Sequence, residues 1–132
     1  MMLEELIEET LNDGGQQIKW NDKTVESNLQ VHCHEQALTG SEAALKAMNL
    51  PPNYSTKLLE AGCCGMAGSF GFEKKYYDVS MKMGEDRLFP ALRSSPSDAS
   101  IAVTGVSCRQ QVEDGVGRSA RFLSDILAEA ID

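Results

Sequence analysis

Three short stretches with strand character, residues 28–33, 55–61 and 100–104, each run into a break that carries cysteine, and a helix-period segment follows each break. Strands alternating with helices bury both faces of a sheet when the strands pair mostly in parallel and the helices cover both sides. The expected fold is therefore α/β, with a mostly parallel sheet of about three to four strands and helices on both faces. Cysteines would lie at the carboxyl ends of the strands. In open sheets of this kind, ligands bind outside those carboxyl ends.

The remaining elements follow from periodicity. Leu3, Leu6, Ile7 and Leu11 fall on one helical face over residues 3–11, and Asn12-Asp13-Gly14-Gly15 ends that helix. Residues 17–25 read as a small hairpin turning at Asn21-Asp22. In 28–33, Leu29, Val31 and Cys33 alternate with Gln30 and His32. Thr39-Gly40-Ser41-Glu42 fits a capping box opening a helix with Ala44, Leu45 and Met48 on its apolar side, stopped by Asn49, Pro51 and Pro52. A long helix is expected over 73–92 from Tyr76, Val79, Met83, Leu88 and Ala91. Phe122, Leu123, Ile126, Leu127 and Ala130 mark the last one.

With 132 residues the chain reads as one domain, 1–132. Its formal net charge of -8 repels phosphate backbones and anionic lipid, which argues against nucleic acid and membrane-surface partners. No apolar run suggests membrane insertion, and Met1-Met2-Leu3-Glu4-Glu5 lacks the basic and apolar sections of a secretory signal. A cytoplasmic location is expected, where thiols stay reduced. The four cysteines, Cys33, Cys63, Cys64 and Cys108, therefore read as free thiols or metal ligands rather than a disulfide framework.

Distant in sequence, the four should meet along one rim of the sheet. Cys63-Cys64 lies between glycines, and Gly65 lets the backbone come close to a bulky inorganic group. Thiolates suit iron–sulfur clusters or zinc. His32 and His34 are weaker candidate ligands, set opposite Cys33 if the strand continues. Cys108 and Arg109 open a helix or turn, whose N–H groups would favour a thiolate, with Arg109 adding positive charge or forming a surface ion pair. No dinucleotide or P-loop fingerprint and no Ser/His/Asp arrangement occurs, so catalytic residues are unassigned.

The stretches His32-Cys33-His34-Glu35-Gln36-Ala37-Leu38, Ala61-Gly62-Cys63-Cys64-Gly65-Met66-Ala67-Gly68-Ser69-Phe70-Gly71 and Ser107-Cys108-Arg109-Gln110-Gln111 resemble the cysteine-rich CCG domain. That domain occurs in heterodisulfide reductase, in glycerol-3-phosphate dehydrogenase iron–sulfur subunits, and in glycolate and lactate oxidase iron–sulfur subunits. The likeness runs from about Val31 to the end and is strongest to the carboxyl-terminal part of long FAD-linked oxidases.

The resemblance implies that Cys33, Cys63, Cys64 and Cys108 help hold an iron–sulfur centre, of [4Fe-4S] type, or line an electron-transfer or substrate site. It also implies a partner that carries FAD, a ferredoxin-like domain and a second CCG domain, this chain being a fragment or module of the larger oxidoreductase. The fullest family pattern ends Cys-x-x-Cys, and here Gln111 takes the last place. The implied function is electron transfer for a flavin-linked enzyme acting on a small 2-hydroxy acid such as lactate or glycolate, incomplete as a catalyst alone. The alternatives are a zinc-stabilised structural or docking domain and a thiol–disulfide module.

Overall fold

The computed structural model describes residues 3–12, 18–60, 63–67 and 69–132. Along the chain come α1 (Leu3–Asn12), β1 (Val25–Gln30), α2 (Cys33–Leu38), α3 (Glu42–Met48), β2 (Tyr54–Leu58), two 3-10 turns (Phe70–Phe72 and Lys74–Tyr76), α4 (Tyr77–Asp86), α5 (Leu88–Ser94), β3 (Ser100–Val103), α6 (Val106–Val116), β4 (Ala120–Phe122) and α7 (Leu123–Ala130). The four strands form one sheet in the order β2-β1-β3-β4, and every pairing is parallel. This is the fold class that the alternation predicts. Among the described residues, no helix is long and apolar enough to cross a membrane.

Two apolar clusters sandwich the sheet. Side chains alternate across a strand. Leu29 of β1 and Ala102 of β3 pack on one side with Ala44, Met48, Leu123 and Ile126 from α3 and α7. Ile101 and Val103 turn to the other side, against Leu88, Phe89, Leu92 and Val112 of α5 and α6. The run Ile101-Ala102-Val103 is apolar at every position because β3 is covered on both faces. Phe89 is fully buried, and a Cβ at Gly84 or Gly115 would come within 2.4 or 2.2 Å of its ring. The two glycines thus leave a slot between α4 and α6 that the ring fills. Arg118 fastens the turn before β3 by donating to the carbonyls of Leu92, Pro96 and Ala99 and to Ser95 Oγ.

Several local expectations are corrected. The helix expected over 73–92 breaks at Arg87, because Pro90 has no N–H for the Asp86 carbonyl and its ring collides with that carbonyl. The buried face is also displaced: Ser80, Gly84 and Leu88 point inward, while Val79 and Met83 are exposed. The capping box does not form. Ser41 takes the N-cap position of α3 without a side-chain capping bond, and Thr39 instead ends α2, its hydroxyl donating to the Glu35 carbonyl.

Residues 18–24 form no hairpin. Trp20 bridges Ile131 antiparallel, and Asn21 N–H bonds the Ala130 carbonyl, so the carboxyl terminus takes the partner that a second hairpin strand would have supplied. Phe122 belongs to β4, an unexpected edge strand. In α1, Leu3 and Leu6 are exposed, and Ile7 carries the contact to the core. The expected stop at Asp13-Gly14-Gly15, the start of the hairpin at Gln17 and the end of the second strand at Ala61 lie outside the described residues.

Replacing Phe89 by Ala should cost about 3–5 kcal/mol, because the slot cannot collapse around the loss. Val79→Ala, at an exposed position, should stay within about 0.5 kcal/mol of the parent. Urea unfolding monitored by circular dichroism checks both; a mild Phe89→Ala would show that the slot is not under packing constraint.

Candidate metal or redox centre

β1 and β3 lie side by side, yet the chain leaves them in opposite directions, β1 toward β2 and β3 toward β4. That reversal opens a crevice at their carboxyl ends. Two contacts fix its walls. His32 N–H donates to Thr104 Oγ1 at 2.8 Å, and the His32 ring lies so close to Gly105 that a Cβ there would meet it at 2.6 Å. The residues following β1 and β3 are thereby held together.

Strand β1 ends at Gln30, so Cys33 does not finish a strand as the alternation suggested. It is the first residue of α2. The period-two argument for the histidines therefore lapses. His32 caps α2 instead, its Nδ1 accepting from His34 N–H at 3.1 Å, and the two rings meet edge to face with centroids 6.5 Å apart.

The thiols come together as two pairs. Cys108 Sγ donates to Cys64 Sγ at 3.5 Å. Both are inside the core, at 0% and 3% exposure. Cys33 and Cys63 are half-buried and adjacent to one another. Gly65 N–H donates to Cys63 Sγ at 3.3 Å. The electrostatics follow the same division. The hydrogen bond from Cys108 lowers the Cys64 thiol, against the effect of burial. Cys108 is pushed up, first by donating that bond and then by burial and by the other thiols. A helix N-terminus by itself would favour a Cys108 thiolate; donation and full burial decide otherwise. Burial, then the neighbouring Cys63, raises Cys33.

Gln111 occupies the position where the fullest family pattern carries a further cysteine. It is buried, and its Nε2 donates to the Cys64 carbonyl at 2.9 Å, the Ser80 carbonyl at 3.0 Å and Ser80 Oγ at 3.0 Å. This amide ties the cysteine loop to α4. Gly65 completes the junction: its φ is +98°, and a Cβ would meet the Ser80 carbonyl at 2.2 Å. Gly65 therefore lies in close approach to the α4 backbone. Sequence reasoning missed Ser80. The available signal was its phase, four residues before Gly84 and eight before Leu88 on the buried side.

Arg109 pairs with Glu113 across one helical turn at 3.3 Å and lies over the Phe122 ring, 5.3 Å from its centroid. Of its two expected roles, the surface ion pair is the one that forms.

The donor chemistry suits a soft metal, since three segments bring four thiols to the carboxyl edge as two pairs. Among the described residues, however, no group of three or more His, Cys, Asp or Glu side chains stands in position to hold a metal ion. Ligands of one tetrahedral ion, with bonds of about 2.3 Å, sit roughly 3.8 Å apart. The 3.5 Å inner pair is close to that spacing.

No protein-family model matches the chain. No solved structure matches it either. Among curated proteins, it is similar over 101 residues, at 35% identity, to D-2-hydroxyglutarate dehydrogenase of Escherichia coli (strain K12), covering 76% of this chain and 10% of that protein. The protein of the same name from Pantoea ananatis (strain AJ13355) is 33% identical over 104 residues, 78% of this chain and 10% of that one. A subunit of the anaerobic glycerol-3-phosphate dehydrogenase of Escherichia coli (strain K12) is 28% identical over 100 residues, 75% of this chain and 24% of that one. The chain thus spans about a tenth to a quarter of the length of these relatives.

Gln111→Ala should destabilise the fold by about 1–3 kcal/mol, because two buried carbonyls lose their donor. Gln111→Glu should be worse at neutral pH, since it sets a carboxylate against those carbonyls. Gly65→Val should fail at least as badly, from backbone strain and collision with Ser80. Chemical denaturation ranks the variants; a Gln111→Glu protein as stable as the parent would sink the clamp.

Proposed function

We propose that the chain is a CCG-type cysteine-rich module of a flavin-linked dehydrogenase acting on a small 2-hydroxy acid, with its metal centre at Cys33, Cys63, Cys64 and Cys108. The observation that carries this reading is that the segments after β1, β2 and β3 bring Cys64 to Cys108 at 3.5 Å and Cys33 beside Cys63 at the carboxyl edge of the sheet. The relatives support the enzyme class: the names of two specify a D-2-hydroxy-acid dehydrogenase, where the family resemblance pointed to lactate or glycolate. Their greater length leaves room for flavin, ferredoxin-like and further CCG domains outside this segment.

An iron–sulfur centre bound here would supply one-electron steps at a potential tuned by burial and hydrogen bonds to sulfur. The protein's own contribution is to bring the ligands together. The sheet delivers the segments, His32 and Thr104 hold the ends of β1 and β3 together, and the Gln111 amide fixes the loop that carries Cys63 and Cys64. With Gln111 engaged, the local donor set is four thiols. A single tetrahedral ion, zinc above all, is the second reading, favoured by the 3.5 Å spacing of Cys64 and Cys108.

Iron, zinc and acid-labile sulfide measured after anaerobic purification, with a visible spectrum, test the proposal. Iron with sulfide in a coloured protein is the expected outcome. Colourless protein with one zinc selects the second reading, and no metal after reconstitution removes both. Cys64→Ser and Cys108→Ser should each lose most of the metal, and the isolated chain should not oxidise 2-hydroxy acids.

A further inference from the structure

We propose that Cys64 and Cys108 are a redox modification site, an inner dithiol that a hydroperoxide closes to a disulfide, withdrawing two sulfurs from the rim. The consequence for metal uptake rests on the function proposed above; the disulfide itself stands on geometry alone.

The two sulfurs face one another at 3.5 Å across an S–H···S contact. A disulfide needs about 2.05 Å, so closure requires a movement of roughly 1.5 Å. Cys64 lies in irregular backbone between β2 and the first 3-10 turn, whereas Cys108 is fixed in the first turn of α6 and packed with Val112 and Leu92. The movement therefore belongs to the Cys64 side chain, while its carbonyl stays on the Gln111 amide. The outer thiols also neighbour one another, and like Cys64, which takes a backbone hydrogen bond from Met66, Cys63 accepts an N–H, that of Gly65; they differ in being partly open to solvent.

The chemistry balances with a hydroperoxide as oxidant. Cys64 sulfur attacks the peroxide oxygen and breaks the O–O bond, giving Cys64 sulfenic acid and one water. Cys108 sulfur then attacks the sulfenic sulfur, its S–H proton leaves with the departing hydroxide as a second water, and the S–S bond forms. Two thiols lose two electrons in all, and one peroxide gains them. Cys64 is 3% exposed, so the peroxide reaches its sulfur through the same side-chain movement that closure requires. A disulfide between these residues would remove both inner thiolates as metal ligands, and reduction by a dithiol would return them.

The test is disulfide mapping. Reduced metal-free protein is treated with one equivalent of hydrogen peroxide, alkylated, digested without reductant and analysed by mass spectrometry. The expected product is a Cys64–Cys108 linked peptide with Cys33 and Cys63 alkylated. A Cys33–Cys63 linkage, or any linkage using Cys63, overturns the proposal, as does recovery of four alkylated cysteines. Because Cys64→Ser or Cys108→Ser can fail to fold, Cys33→Ser and Cys63→Ser are the deciding variants: both should keep the inner linkage, and its loss in either counts against it. Oxidised protein should then fail to take up iron until treated with dithiothreitol; undiminished uptake by mapped, oxidised protein also overturns the proposal. Reduced protein that binds neither iron nor zinc removes the metal reading alone, while the mapped linkage remains the separate readout that supports the dithiol.

Discussion

Parallel pairing is the constraint on which everything else rests. In a sheet whose four strands all run the same way, the chain must leave every strand at one edge and return across a face before entering the next. Cys33, Cys63-Cys64 and Cys108 all lie in departing segments, after β1, β2 and β3. They therefore share an edge, whatever their separation in sequence. The order β2-β1-β3-β4 adds the rest, because the helices before β2 lie on one face and those before β3 and β4 on the other. The chain reverses between β1 and β3, and the thiols lie at that edge.

Within that frame, ordinary packing does the positioning. The Gln111 amide gives the Cys64 carbonyl a partner inside the core and joins α6, the cysteine loop and α4 at one point. Gly65 allows the loop to lie against the Ser80 carbonyl. Burial then sorts the sulfurs. Cys64 and Cys108 sit with Met66, Leu88 and Val112 in the same cluster that covers β3, while Cys33 and Cys63 remain nearer the surface. Four identical side chains thus become two chemically different pairs. The inner pair is set apart by burial: both sulfurs are out of water, and there the Cys108 thiol donates to Cys64.

Much of the architecture was legible in the residues. The second and third strands announce themselves near Ser55 and Ser100 by composition and by the breaks that follow, the first is found but lies three residues earlier, at Val25–Gln30, than the expected 28–33, and the alternation with helices leaves parallel pairing as the economical solution. The errors have local causes. Pro90 lies inside the periodic stretch, and its single missing N–H divides what periodicity joins. Thr39 carries a capping signal, yet its hydroxyl has a nearer carbonyl at Glu35, one turn back in a helix whose six residues, Cys33–Leu38, are too few to show a period. Lys19–Asn21 look like half of a hairpin because strand character does not name the partner strand, and the partner proved to be the carboxyl terminus.

The sequence by itself determined that cysteines would gather at the carboxyl edge of a parallel sheet, because strand character and the cysteine after each of the first three strands are local properties that survive any arrangement of the helices. Only the tertiary structure decided which sulfurs touch, which are buried, and that Gln111 holds the loop and Arg109 turns to Glu113. These depend on distances between segments tens of residues apart, and such distances are fixed by how side chains fill a common core, not by any pattern along the chain.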